Sequence, residues 1–305
     1  MTKDLPVWRS LMYCPANVEK YVDKAHTRGA DVIQLDLEDS VPPSEKAAAR
    51  KLVEKAAARV RRGGADVVVR FNQPLSMAVR DLEASICPDV DALACTKVGG
   101  ASHVQLLDEL VSELEQKRGM KVGHTQFITM IETADAFFKI RDILRASDRI
   151  VATNIGGEDF ALDCNFQPTG EALFYPKQHM IIAANAAGVL PLGFVDSIAG
   201  FGDWAAFRKM VRRSRDFGFM GAGCIHPGQV TIVNQEYTPA KEEVDYAYKL
   251  IKLDQEAASS GRGSFTLDGK MVDIPIIVRA RKLIARYEKI QTREARTLAS
   301  IEHKA

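Results

Sequence analysis

The chain has 305 residues, 46% of them hydrophobic and 27% charged, with 41 Lys and Arg against 40 Asp and Glu for a net charge of +1. That balance provides no field to attract nucleic acid, an anionic membrane or a strongly charged partner. The five cysteines (Cys14, Cys87, Cys95, Cys164, Cys224) are scattered without a CxxC spacing, so a zinc site is not expected and the thiols are expected to be reduced and buried, as in a cytoplasmic protein. MTKDLPVWRS lacks the apolar core of a signal peptide, and no run approaches the roughly 18 apolar residues of a membrane span.

Strand-like and helix-like stretches alternate along the chain. The strands are predicted at 7–13, 31–36, 66–71, 91–96, 125–131, 149–155, 189–195 and 219–225. Amphipathic helical patterns fall between them at 18–27, 44–61, 102–117, 134–146, 171–187 and 204–217, with a shorter stretch at 77–85. Glycines at 29, 63–64, 188 and 218 follow the helical runs, as helix exits require. Eight strands with intervening helices predict an α/β fold, a (β/α)8 TIM barrel spanning 1–236. An open doubly wound sheet is the competing architecture, and no G-x-G-x-x-G follows the first strand to support its dinucleotide-binding form.

The rhythm changes after Val233. TPAKEEVDYAYKLIKLDQEAA reads as a helix, SSGRGSF as a mobile link, and LDGKMVDIPIIVRARKLIARYEKI as a turn feeding another helix. Residues 237–305 are thus expected to form a C-terminal helical extension, either a cap over the barrel end or an arm docking on a neighbouring subunit.

Charged residues stand where the apolar runs stop. A barrel gathers the C-terminal ends of its strands at one rim, so distant residues converge there. Glu132 closes FITMIET and Asp159 follows IVATNIGGEDF, on successive strands. Two carboxylates with several waters suit Mg²⁺; each residue can also serve as a helix cap. Arg70 closes VVVRFN, and its planar fork suits either a substrate carboxylate or an interstrand salt bridge. Lys97 ends ALACTK as a salt-bridge partner or a Schiff-base lysine. Asp36, Glu38 and Asp39 crowd the second strand's exit in LDLED. Such a cluster needs a nearby cation, and Glu38 and Asp39 are candidates to hold the waters of a metal, with capping by Asp39 and Ser40 the alternative. His226 in CIHPGQV ends the eighth strand, more in keeping with a turn or ligand wall than with a general base.

These residues lie in stretches that resemble the citrate lyase β-subunit-like proteins of the HpcH/HpaI aldolase/citrate lyase superfamily, which includes malyl-CoA and citramalyl-CoA lyases. The matching stretches are RSLMYCPANVEKYVDKA, GADVIQLDLEDSVPPSEKAAAR, VVVRFN, FITMIET, GGEDFALD, AANAAGVLPLGFVD, CIHPGQVTIVNQEYTP and DGKMVDIPIIVRAR, in the family's order over nearly the whole chain.

The resemblance implies a Mg²⁺-dependent barrel lyase that reversibly cleaves a β-hydroxyacyl thioester, of the malyl-CoA, citramalyl-CoA or citryl type, into an acyl-CoA and a keto acid. It implies Glu132 and Asp159 as metal ligands, Arg70 as the residue that holds the keto acid, and Asp273 in DGKMVD as an acid/base delivered by an adjacent subunit. It also implies a homotrimer or hexamer, with Arg9, Asn17, Lys20 and His226 where relatives contact the CoA tail. A thioesterase using the same site, or a carrier-dependent subunit of a larger complex, is the alternative. The chain departs from the family at TKVGG, where PKVE is common, and at ETADAF, where ETARG is common; Lys177-Gln178-His179 replaces a more Arg-rich stretch. Those departures bear on which acyl and keto-acid partners fit.

Overall fold

The computed structural model describes residues 4–196, 202–259 and 263–302, with side chains through 299. The chain divides into two compact units, one ending at Tyr237 and the other beginning at Thr238.

In the first unit, strands β1 (Ser10–Pro15), β2 (Val32–Asp36), β3 (Asp66–Phe71), β4 (Ala92–Cys95), β5 (Gln126–Ile131), β6 (Ile150–Ile155), β7 (Leu190–Pro191) and β8 (Ala222–Cys224) form one parallel sheet in the order β7-β6-β5-β4-β3-β2-β1-β8. Its two ends meet through a parallel bridge between Leu192 and Gly221, flanked by Met220 N–H donating to the Pro191 carbonyl at 2.9 Å and Gly193 N–H to that of Gly221 at 2.8 Å. The cylinder is thereby closed, as a (β/α)8 barrel.

The helices between strands are α1 (Glu19–Ala25), α2 (Lys46–Val60), α3 (Leu75–Ser85), α4 (Ala101–Lys117), the short α5 (Ala134–Phe138) and α6 (Ile140–Ile143), α7 (Gly157–Asp163), α8 (Phe174–Ala187), α9 (Trp204–Phe217) and α10 (Pro227–Tyr237). Local chemistry sets their ends. Thr133 caps α5 by accepting Ala136 N–H at 3.2 Å, and Asp203 caps α9 by accepting Ala206 N–H at 2.9 Å.

Period-two alternation divides each strand between two cores. Val67 and Val69 face outward with Ile33, Leu35, Phe127 and Ile131 into the layer beneath the helices. Val68 faces inward with Leu11, Val32, Ala92, Ala94, Ile128, Met130, Ala152 and Leu190, filling the barrel interior. Each fully buried Val, Leu or Ile contributes about 1.5–3 kcal/mol. The interior is therefore a packed floor, and the polar residues that continue the same inward rows form a chemical layer above it.

The second unit contains α11 (Lys241–Ser259), an antiparallel hairpin of β9 (Phe265–Leu267) and β10 (Lys270–Val272), and the long α12 (Ile274–Glu302). Ala247, Leu250, Val272, Ile277, Ala280 and Ile284 form its core. The sequence reading expected only a turn where the hairpin stands. Asp268 and Gly269, both with positive φ (51° and 75°), make the two-residue turn that such a hairpin needs. Ser260–Arg262 of the expected link lie outside the described residues. Among the described residues, no helix is long and apolar enough to cross a membrane.

Candidate active site

The inward rows end in polar groups. Leu11 leads to Tyr13, Val32 to Gln34 and Asp36, Val68 to Arg70, Met130 to Glu132, and Ala152 to Asn154. All of these polar residues line a cavity of 910 Å³ in the first unit, with Asp159, Lys177 and His226 on its walls. The space exceeds what a small keto acid fills and matches a pocket for a larger ligand.

Asp36 and Arg70 are direct partners in the β2–β3 register. Arg70 Nε and Nη2 donate to Asp36 Oδ1 and Oδ2, each at 2.8 Å, a two-point fork. Arg70 Nη1 lies 2.7 Å from Glu38 Oε2, a close ion pair without hydrogen-bond alignment, and donates to Asp39 Oδ2 at 3.3 Å. The guanidinium also lies 5.1 Å from the centre of the Tyr13 ring. Burial works against both charges, but the paired hydrogen bonds prevail. They hold the Asp36 carboxyl below the usual carboxylate range and the Arg70 guanidinium above its own. Of the two uses read for Arg70 from sequence, the interstrand salt bridge is the one present. A substrate carboxylate would meet only the donors this bridge leaves over.

Lys97, at the end of β4, has a left-handed backbone with φ of 47°, unusual for a residue with a long side chain. That turn aims its N–H at Glu132 Oε2 (2.6 Å), while its ammonium contacts Glu38 Oε1 (3.1 Å) and Asp159 Oδ1 (3.2 Å). One residue thus joins three carboxylates, from just beyond β2, just beyond β5 and the first turn of α7. Glu132 is 2% exposed. Burial pushes its carboxyl up to about 7, with the Lys97 N–H and charge pulling the other way. Burial likewise raises Glu38 despite Arg70 and Lys97. Gly156 leaves the space that Glu132 occupies, since a Cβ there would stand 2.4 Å from Glu132 Oε1.

The donor set fits a hard divalent cation. Two of the carboxylates, Glu38 and Asp159, already converge on a positive charge, the Lys97 ammonium. Among the described residues, no group of three or more His, Cys, Asp or Glu side chains is arranged to hold a metal. An ion here would therefore keep open positions, as Mg²⁺ on one or two carboxylates does.

The remaining expected site residues divide. Asp39 is at the rim with an exposed side chain, and His226 lines the cavity with Nδ1 accepting Gly228 N–H at 3.0 Å. Asn17 lies just beyond β1 and donates to Glu45; Lys20 is exposed on α1, whose Tyr21 and Lys24 line the cavity with Arg28 from the turn that follows. Arg9 is a correction. It is 3% exposed, precedes β1 at the end opposite the rim, and forks onto Asp31 with two bonds of 2.9 Å. A guanidinium committed there holds the barrel floor and is not a contact for a thioester at the rim. Asp273 belongs to the second unit, directly before α12. Tyr13, Gln34, Asn154 and Gly156 were absent from the expected site. A polar residue on the inward row of an apolar strand was the available signal for the first three.

A protein-family model described as HpcH/HpaI aldolase/citrate lyase matches residues 9–227. The chain is 32% identical to the citrate lyase subunit beta of Leuconostoc mesenteroides subsp. cremoris over 279 residues, 90% of this chain and 92% of that protein. It is 30% identical to the L-malyl-CoA/beta-methylmalyl-CoA lyase of Cereibacter sphaeroides (strain ATCC 17025) over 306 aligned positions, 92% of this chain and 95% of that enzyme. The crystal structure of the protein CitE from Mycobacterium tuberculosis, in complex with magnesium, acetoacetate and coenzyme A, superposes with a TM-score of 0.73 at 25% identity, covering 93% of this chain and 99% of that one. With a matched family model over most of the barrel and relatives matched along nearly their whole length, the chain belongs to the HpcH/HpaI aldolase/citrate lyase family and is a lyase of that family.

Proposed function

We propose that this protein is a Mg²⁺-dependent carbon–carbon lyase that reversibly cleaves a β-hydroxyacyl-CoA into an acyl-CoA and a 2-oxo acid. The observation that carries the reading is the convergence of three carboxylates on Lys97 at the rim, Glu38 and Asp159 on its ammonium and Glu132 on its backbone N–H. Glu132 and Asp159 would hold the ion, with Glu38 and Asp39 beside its waters. Mg²⁺, when bound, would supply Lewis-acid polarisation of the substrate's hydroxyl and carboxylate oxygens.

Cleavage breaks the bond between the carbinol carbon and the carbon next to the thioester carbonyl. The hydroxyl loses its proton as the carbinol becomes a ketone. The bond's electron pair passes into the thioester as an enolate, and protonation of that carbon completes the acyl-CoA. Arg70, held rigid by Asp36, supplies fixed positive charge on the wall where negative charge develops. Burial of Glu132 keeps bulk water from the oxygens to be held. Asp273, carried by a neighbouring copy in a homotrimer or hexamer, is assigned the proton transfer at the thioester carbon.

The test is a panel of acetyl-CoA and propionyl-CoA against glyoxylate, pyruvate and oxaloacetate, with and without Mg²⁺. Condensation that requires the metal is expected. Release of free CoA with no carbon–carbon product would replace the lyase with a thioesterase. Inactive Asp273→Ala and Arg70→Ala proteins, mixed and reassembled, should regain activity if the site is shared between subunits; no recovery would confine it to one chain.

A further inference from the structure

Lys177 is a buried cation in the cavity wall to which the reaction above gives no task. It lies on α8, one helical turn beyond Leu173, whose carbonyl accepts its N–H at 3.0 Å. The residue is 6% exposed and lines the cavity. Its Nζ donates to the Val195 carbonyl at 3.2 Å, and the acids that act on it, Asp196 and Glu158, form no ion pair with it among the described residues. An ammonium has three N–H donors, so two are left to spend in a dry wall. A buried ammonium with two donors unsatisfied and no ion pair is costly, and a ligand carboxylate would offset that cost.

The position relates this charge to the carboxylates. Leu173 packs on the start of α7, where its Cδ1 is 3.1 Å from the site of a Gly157 Cβ, and Asp159 follows two residues later. Lys177 stands one turn further along the same helix, about 5.4 Å of rise. Glu132, Asp159 and Lys177 line the same cavity, so a small acid gripped at the two carboxylates shares that space with the ammonium. We infer that Lys177 receives a second carboxylate on the keto-acid half of the substrate, so that the enzyme favours a dicarboxylic 2-oxo acid over a monocarboxylic one.

Burial pulls the ammonium down to about 8, with Asp196 and Glu158 opposing, so it stays mainly cationic at neutral pH.

The assignment rests on the lyase reading, and the experiment separates the two. Wild type, Lys177→Met and Lys177→Arg are assayed in Mg²⁺ with acetyl-CoA and either oxaloacetate or pyruvate, and again with succinyl-CoA in place of acetyl-CoA. Thermal unfolding checks that each variant is folded. The ratio of kcat/KM for oxaloacetate to that for pyruvate is expected to fall about 10- to 100-fold in Lys177→Met through KM, and to recover largely in Lys177→Arg. An equal loss on both keto acids, no loss, or a loss that follows the acyl half would overturn the assignment. So would a wild-type enzyme that condenses pyruvate or glyoxylate but not oxaloacetate. Absence of condensation with every pair overturns the lyase reading itself.

Discussion

Arg70 and Asp36 face each other across neighbouring strands and exchange two hydrogen bonds of 2.8 Å, so the guanidinium at the cavity wall is fixed before any substrate arrives. Asp36 in turn accepts N–H groups from Glu38 at 3.0 Å and Ser40 at 3.1 Å, which ties the LDLED loop to the same pair. Preorganised charge of this kind acts without reorganising during reaction.

Asp36→Asn tests how much of the rim this pair supports. The amide cannot accept both prongs of the fork, and breaking a buried pair typically costs about 3–5 kcal/mol. Glu38 remains 2.7 Å from Nη1 and offsets part of that loss. A destabilisation of about 3 kcal/mol in urea unfolding is expected, with lower kcat. Stability within about 0.5 kcal/mol of wild type would show that the pair is replaceable by solvent.

Gly156→Ala probes the space that holds Glu132. A methyl there would stand 2.4 Å from Oε1 and 2.6 Å from Cγ, so the carboxylate must swing away. Displacement by about 1 Å is expected to lower Mg²⁺-activated kcat/KM about 100-fold. Gly157→Ala is the control, since its Cβ would meet only the flexible Leu173 Cδ1 at 3.1 Å. Equal activities in the two variants would separate Glu132's position from the chemistry.

Much of this site could be read from the chain, and what escaped has definable causes. The third strand and the ninth helix fall where periodicity puts them, at Asp66–Phe71 and Trp204–Phe217. The seventh strand was expected over seven residues but pairs only through Leu190–Pro191 and the Leu192 bridge, because Pro191 has no N–H to give a ladder. The helix expected at 134–146 breaks at Lys139, whose φ of −102° and ψ of 5° leave the helical region. No element was expected between the sixth strand and residue 171, yet Gly157–Asp163 folds as α7. The choice between two partners for Arg70 depended on register. Only the pairing of β2 with β3 brings Asp36 opposite Arg70, and no spacing in the sequence encodes that contact.

Lys97→Met addresses the cation between the carboxylates. The ammonium lies 3.1 Å from Glu38 and 3.2 Å from Asp159, where it repels an incoming divalent ion and competes for its ligands. Methionine retains the backbone N–H that donates to Glu132 at 2.6 Å. Mg²⁺ binding without substrate, followed by calorimetric titration, is expected to tighten about tenfold, the scale of one unit charge at a few ångströms in a partly solvated site. Unchanged or weaker binding would mean that the ion is held elsewhere.

Glu132→Gln separates the demands of stability from those of chemistry. Burial lifts the Glu132 carboxyl from 4.5 to about 7, so the folded protein retains a proton that the unfolded chain releases between those values. The sign follows from linkage. Below about pH 4.5 both states are protonated and the group is neutral in the balance; stability then declines as pH rises, until above about 7 the full penalty of a buried charge is present. For a shift of this size the penalty is about 3 kcal/mol. Glutamine has no proton to release, and its amide oxygen can still accept the Lys97 N–H. In metal-free protein at pH 8 the variant should be more stable than wild type by up to about 3 kcal/mol, with the gap closing toward pH 4.5. Saturating Mg²⁺ should restore wild type and leave the variant unmoved, since binding to the folded state alone stabilises it. Urea unfolding at both pH values, with and without Mg²⁺, reads all four arms. A variant less stable at pH 8 would mean that the charge is already compensated by Lys97, and that Glu132 is a structural anion rather than one kept waiting for a metal.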